Sequence, residues 1–560
     1  MNLFSRCWQN RWIRRLVWTA VTLVTLLALL CTWVNWSGAR QWSKVQALLK
    51  AEGEPLDFRA TLNEPLPDAE NFCAIPLLKD LALIVDNDPS KGAPGERRKR
   101  LEALKLPSNG KGGARPGLTN ATLGKRADLQ AWAGWLRQEG SMAVDSGDAA
   151  RDVLAALSKH DAVIQELAAG LDRPQAQWTP EWKTRELPPL LPTIAIPHYS
   201  AMQGLNQTLA LRATAAARAG EAAKAHETAL VIARLNQACL NDPFLIGLLV
   251  GASGAGILQG ATWELCQAHA GTAEDFTRLE SALSGFDFHR STLHAWRSEM
   301  AGMVDTMQFM KGKRDSSLSL FQMVNNEGNP SGGAISNYFV RAFPGGFFDA
   351  STAVLADREL HYLIRPLREE GWQAARQSAE DWEKELVEMK KQLWAHPSYL
   401  MTSLIAPASK GIINRAACTQ TLVSQAVIAC ALERYRIETG SYPNSLAPVK
   451  LAAGKPLPPD AINGKPMSYR KTADGNYTLW SVGFDGKDDG GKRVLDKKKP
   501  ENTNFTMRLT PVIGSGISPR NSASIGSDAR GDIGSDQHVR AGRKRKSMTL
   551  CFLTSGRTLN

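Results

Sequence analysis

Nineteen consecutive residues without a charge, Leu16 to Val34 (LVWTAVTLVTLLALLCTWV), set the first condition on how this chain folds. A helix of that length is close to the roughly 20 residues needed to cross the hydrocarbon core of a bilayer. Arg6, Arg11, Arg14 and Arg15 precede the run with no acid among them. The positive-inside rule therefore predicts residues 1–15 as a cytoplasmic basic segment, 16–34 as a transmembrane helix in contact with membrane lipid, and an extracytoplasmic body. Trp18, Trp33 and Trp36 suit the interfacial belts at its ends. A cleaved signal peptide ending at Ser37-Gly38-Ala39 is the rival reading, disfavoured because signal h-regions span roughly 7 to 15 residues. Lipoprotein processing is disfavoured too, since Leu30 rather than a small residue precedes Cys31.

The formal net charge of +12 is no signal for nucleic acid. Residues 1–15 carry +4 and residues 512–560 carry +5, which leaves +3 for everything between. No nucleic-acid partner is expected. The eight cysteines follow no metal or redox spacing. On one continuous helix Cys418 and Cys430 stand about 18 Å apart, beyond disulfide reach. A bridge from Cys239 to Cys266 is open in an oxidising compartment, and the cysteines otherwise read as small buried hydrophobes.

Apolar residues at three- and four-residue spacing predict a mainly α body over residues 35–410, a helical bundle or solenoid-like region. Helices are expected at 41–50, 129–140, 149–171, 202–219, 221–240, 241–268, 273–283, 290–310 and 359–393. The pair around Ala219-Gly220-Glu221 forms an αα-hairpin resembling one tetratricopeptide-like unit, without the 34-residue period of a repeat array. The run 241–268 is interrupted by Ser253 and glycines and reads as a buried helix rather than a second span. Two stretches rich in glycine and polar residues, 89–117 and 311–348, are expected as flexible loops.

Residues 411–511 change pattern. An amphipathic helix over 415–438 exits at Gly440, Tyr442-Pro443 turns the chain, Asn463-Gly464 is a strong turn dipeptide, and 467–471 and 477–482 read as short strands. An antiparallel sheet against one long helix, a small C-terminal α+β domain, is implied. The tail 512–560, with Arg543-Lys544-Arg545-Lys546, reads as a disordered basic extension arising by read-through or a shifted frame.

The residues at the helix exit (Tyr435, Gly440, Tyr442, Pro443), the central turn (Asp460, Gly464, Pro466, Tyr469) and the last loop (Ser481, Gly483, Asp485, Gly486, Gly490, Gly491) resemble the globular head of type II secretion major pseudopilins. The likeness covers about a hundred residues, and the whole chain looks similar to uncharacterised bacterial membrane-anchored proteins. It implies a single-pass protein of the bacterial inner membrane with a periplasmic domain. It also implies calcium as a cofactor, with the Val482 carbonyl, Asp485, Asp488 and Asp489 as ligands. Calcium wants six to eight oxygens, and Lys487 in the third position excludes an EF-hand. Pseudopilins start at their own membrane helix after a prepilin peptidase site. Here the head lies far downstream and residues 1–40 lack that Gly, Phe and Glu pattern, so fibre assembly by that route is not expected.

No catalytic motif appears. The nine histidines form no His-Glu-x-x-His, Cys266 and His269 make at most two ligands, and Gly251-Ala-Ser-Gly254 is neither a P-loop nor a nucleophile elbow. The chain is expected to be a non-enzymatic interaction or scaffold protein with a protein partner. The alternatives are an accessory component of a type II secretion or pilus-like system and an extracytoplasmic hydrolase with dispersed catalytic residues.

Overall fold

The first helix does not end with the uncharged run. In the computed structural model a single helix, α1 (Arg11–Ala51), continues through it and on into the body. Its first half exposes Trp12, Leu16, Trp18, Leu23, Val24, Leu27 and Leu30, whereas Gly38, Trp42 and Leu49 are buried. The segment expected as a separate helix at 41–50 is thus the same helix, and Ser37-Gly38-Ala39 lies inside it rather than in an extended cleavage site. The structure describes residues 11–79, 81, 93–107, 109–111, 113–122, 124–141, 145–184, 187, 191, 194, 196–312, 343–484, 486–488, 490–492 and 506–509.

The stretch 89–117, expected as a loop, holds a helix, α2 (Ala93–Glu102), and a two-residue hairpin, β1 (Asn109–Gly110) with β2 (Gly113–Ala114). Its charge run hid two apolar anchors at helical spacing, Leu101 and Leu104, which are fully buried. α3 (Leu129–Gln138) and α4 (Ala149–Leu157) follow, capped by Asp128 and Asp148, whose carboxylates accept from Ala131 and Ala150 N–H. The single helix expected over 149–171 is divided: a tight turn at Ser158–His160 separates α4 from α5 (Asp161–Ala168).

The centre is a stack of long helices: α6 (His198–Arg218), α7 (Ala222–Leu240) and α8 (Leu245–Gln267) pack on one another. Gly220, at φ 83°, makes the left-handed turn between α6 and α7 that a side chain would resist. The small residues of α8 allow close approach, since a Cβ on Gly251 would press into Leu240 and one on Gly247 into Tyr199. α9 (Ala273–Ser284) opens with a reciprocal capping box, Thr272 and Asp275, and α10 (Phe288–Gly312) follows it.

α11 (Gly345–Glu359) lies along α1. The continuous helix expected from 359 to 393 is interrupted: two wide π turns, Leu360–Ile364 and Pro366–Glu370, end at Gly371 with φ 80° before α12 (Trp372–Lys391). Pro366 has no N–H for the regular ladder and Gly371 reverses the backbone, so periodicity alone ran through a true break. Of the loop expected at 311–348, residues 313–342 lie outside the described residues, and both flanks are helical.

After α13 (Tyr399–Ile405), α14 (Ser409–Thr439) runs for 31 residues and ends at Gly440 with φ 83°. Beyond it β3 (Ser468–Lys471), β4 (Tyr477–Trp480) and β5 (Thr506–Arg508) form an antiparallel sheet in the order β3-β4-β5, with Tyr469 opposite Leu479 and Leu479 opposite Met507. The protein is mainly helical. α14 packs against α8, α9 and α12, and one continuous core joins Leu49, Trp263 and Trp296 to Ile428, Tyr477 and Leu479. No gap in that core falls near residue 411. The described residues of 1–311 and 344–511 gather into one compact unit; of 312–343 and 512–560, all but residues 312 and 343 lie outside the described residues.

Candidate functional site

A groove of 1110 Å³ opens between α7, α9 and α10, floored by residues 63–66 and 171–177. Its size exceeds the usual range for small-molecule pockets, roughly 300 to 1,000 Å³. Four arginines line it, Arg234, Arg278, Arg290 and Arg297, against two acids, Glu64 and Asp287. Two of the guanidiniums are engaged. Arg234 donates to the Pro174 carbonyl at 2.7 Å, and Arg297 to Glu54 at 2.6 Å. Arg278 and Arg290 are exposed, and their side chains make no hydrogen bond or ion pair with a described residue.

Amides hold the wall and floor in place. Gln237 donates to the Ala282 carbonyl at 2.7 Å, Asn63 to that of Asn241 at 2.8 Å, and Asn241 to that of Ala176 at 2.9 Å. His294 also lines the groove, with a buried Nε2 that has no hydrogen-bond partner among the described residues. Burial first, and then Arg297 and Arg290, push its pKa down, so the imidazole is neutral at pH 7. The walls therefore present unpaired guanidinium donors, suited to the planar acceptors of carboxylates.

The groove brings His294, Asp287 and Ser291 to one surface, the combination a hydrolase would need. Among the described residues no hydrogen bond joins His294 to either, so nucleophile and base are not coupled there. The histidine–carboxylate pairs lie elsewhere. His198 Nε2 stands 3.0 Å from Asp242, which also accepts from Tyr199 at 2.7 Å, and His198 and Asp242 are wholly enclosed. His269 does not share a helical face with Cys266: it follows the end of α8 at φ 48° and meets Glu433 at 3.2 Å. Cys239 and Cys266 are both free thiols.

The C-terminal residues singled out by sequence serve two tasks. Tyr442 donates to buried Glu433, which also takes Arg436 at 2.9 Å and His269, so the helix exit is tied to α8. Tyr469 donates to the Pro443 carbonyl at 2.7 Å, and Asp460 closes the central turn through Ile462 N–H at 3.0 Å. In the last loop Asp485 and Asp489 lie outside the described residues. Asp488 Oδ1 accepts from Trp480 Nε1 and from Gly490 N–H, both at 2.8 Å. Val482 N–H approaches Asp460 at 3.4 Å. Among the described residues no three metal-ligating side chains cluster, and the described part of this loop falls short of a calcium shell.

The groove arginines escaped sequence reasoning, although a signal was present: Arg290, His294 and Arg297 recur at four and three residues, one polar stripe along α10. In comparison with known proteins, no family model matches the chain, and no curated protein or solved structure matches it.

Proposed function

We propose that this chain is a membrane-anchored extracytoplasmic interaction or scaffold protein, with the arginine-lined groove as the face that takes an acidic segment of a protein partner. The observation that carries the anchoring half is the continuity of α1, whose exposed apolar half runs without a break into a half gripped by the body. Among the described residues three helical stretches are long and apolar enough to span a membrane: α1, α8 and 399–439. The span window of α1 is wholly exposed, whereas those of the other two are 67% and 83% buried in protein. That difference supports the reading of a single pass through α1.

Body and anchor meet at a glycine crossing, where a Cβ on Gly38 would overlap the Gly346 backbone and one on Gly346 the backbone of Val34 and Asn35. Asn35 accepts from Gly346 N–H at 2.7 Å. Higher up, Arg365 and Arg368 clasp Glu52, and Arg368 and Arg297 clasp Glu54. The test is labelling of single cysteines in intact cells by an impermeant maleimide. Cysteines placed at Ala453 and Arg278 should react from outside and one at Gln9 only after lysis; the reverse pattern overturns the orientation. Photocrosslinking from the groove should capture a partner that Arg278→Glu with Arg290→Glu loses, and unchanged capture overturns the groove's role.

The sheet over α14, with the Tyr469–Pro443 and Asp460 contacts, supports a second reading as an accessory component of a type II secretion or pilus-like system. Co-purification of secretion subunits in mild detergent tests it, and their absence counts against it. Calcium should then raise the melting temperature of the full chain, an increase removed by Asp485→Ala. No increase leaves the loop metal-free.

A further inference from the structure

Most exposed large hydrophobics among the described residues belong to the first half of α1; of the five elsewhere, Val387 lies in the last part of α12, Trp394 in the turn from α12 into α13, and Leu404 in α13. Trp394 is 99% exposed, an extreme for the largest apolar side chain. A chain of contacts fixes where this turn lies relative to α1. Gly346, at the start of α11, meets Asn35 at the end of the uncharged run, and Arg365 beyond the end of α11 meets Glu52. The two helices thus run side by side in the same direction, away from the apolar half of α1.

α12 returns the other way. Arg358 pairs with Glu385 at 2.7 Å and Tyr362 stacks on Trp382 at 5.7 Å, so rising numbers on one side meet falling numbers on the other. Arg358 stands about 18 Å beyond Gly346, and α12 descends about 9 Å of that between Glu385 and Lys391. The chain then turns through residues 392–395 into α13, where Thr402 donates to the Ser351 carbonyl at 3.5 Å, about 7.5 Å beyond Gly346, so the turn that carries Trp394 lies at the end of the body from which the apolar half of α1 leaves. The headgroup layer occupies roughly 5 to 8 Å above the hydrocarbon on each side.

We propose that the α12–α13 turn rests on the membrane, with Trp394 seated in the phospholipid headgroup layer of the leaflet from which α1 emerges. Lys390 and Lys391 precede it, both exposed; Lys390 pairs with no described residue, and Lys391 pairs with the exposed Glu388 at 2.6 Å. An indole with its polar N–H and two long cationic stems is the composition that favours this layer, the lysines answering lipid phosphates. The partner is thus an anionic lipid surface, touched at a second point beside the span. The inference rests on the membrane-anchored reading, and its test separates the two.

The full chain, with Cys7, Cys31, Cys418 and Cys551 replaced by serine or alanine, is labelled with an environment-sensitive nitrobenzoxadiazole at Trp394→Cys, Leu27→Cys or Ala453→Cys. Each is reconstituted in nanodiscs of phosphatidylglycerol and phosphatidylcholine carrying spin-labelled lipid. The expected result is strong quenching at 27 by deep labels, several-fold stronger quenching at 394 by headgroup labels than at 453, and a blue-shifted emission at 394. Quenching at 27 with 394 equal to 453 overturns this inference alone. No quenching at 27 overturns the anchor itself. Lys390→Glu with Lys391→Glu should lower quenching at 394 severalfold and leave that at 27 unchanged; an unchanged signal at 394 overturns the role of the lysines.

Discussion

Two glutamates, each with no exposed surface, show how differently this fold treats a buried carboxyl. Glu264, on α8, accepts from Thr119, Arg126 and Arg218, each at 2.6 Å. Glu359, at the end of α11, has no hydrogen-bond partner for either oxygen among the described residues. Burial alone raises a carboxyl pKa; at Glu264 the two arginines outweigh it and hold the group below its ordinary range. At Glu359 burial, and after it the neighbouring Glu299, push the value well up, and burial pushes Glu299 to about 7. The first carboxylate is a charged pin that fastens residues 119–127 to the central helices. The second is a neutral acid kept in the packing beside the anchor.

The largest test breaks the pin. Glu264→Gln leaves two guanidiniums facing a neutral amide and should cost about 3 kcal/mol, read by thermal or denaturant unfolding in detergent. A loss below about 1 kcal/mol would mean that water already screens the cluster. Glu359→Met should act in the opposite direction, raising stability at pH 8 by about 1 to 3 kcal/mol because an unsatisfied group is removed. The pH dependence follows from the signs. A raised folded value gives stability that is full below the ordinary glutamate value, near 4.3, and is lost as pH rises, so the gain should shrink towards pH 4, where only the removal of a neutral unpaired carboxyl remains. Glu264, with a depressed value, stabilises above the ordinary range and loses that contribution as pH falls.

Smaller changes sharpen the contrast. Thr119→Val removes one of several donors to Glu264 and should cost about 1 kcal/mol, less than the glutamine change because both arginines remain. Arg278→Glu, at an exposed guanidinium without a described partner, should stay within about 0.5 kcal/mol of the parent while altering partner capture.

The long apolar first helix and the helical class could be read from sequence because they depend on local signals: an uncharged run, apolar spacing and capping residues such as Asp148 and Thr272. The breaks were harder. α2 was hidden by Arg97, Arg98, Lys99 and Arg100 although Leu101 and Leu104 supply its buried anchors, and Pro366 was overrun by apolar spacing that continues on both sides. The groove was not read because its walls come from residues 63 to 297, and no local pattern reports which long-range faces meet. Arg126 and Arg218 likewise gain meaning only when the fold brings them to Glu264. In the head, Tyr442 was recognised, yet its link to Glu433 and His269 needs the packing of α14 on α8.

The passage of α1 from exposed to buried surroundings without a hinge has a mechanical side. A body hung on a slack tether can tilt and wander over its neighbours, but one built around its own membrane helix keeps a set height and inclination. It can turn about the membrane normal and diffuse within the plane, and little else. On the anchoring proposed above, any load applied at the groove would pass as torque along a stiff lever into the bilayer, and a partner would have to come to the height at which the groove is held.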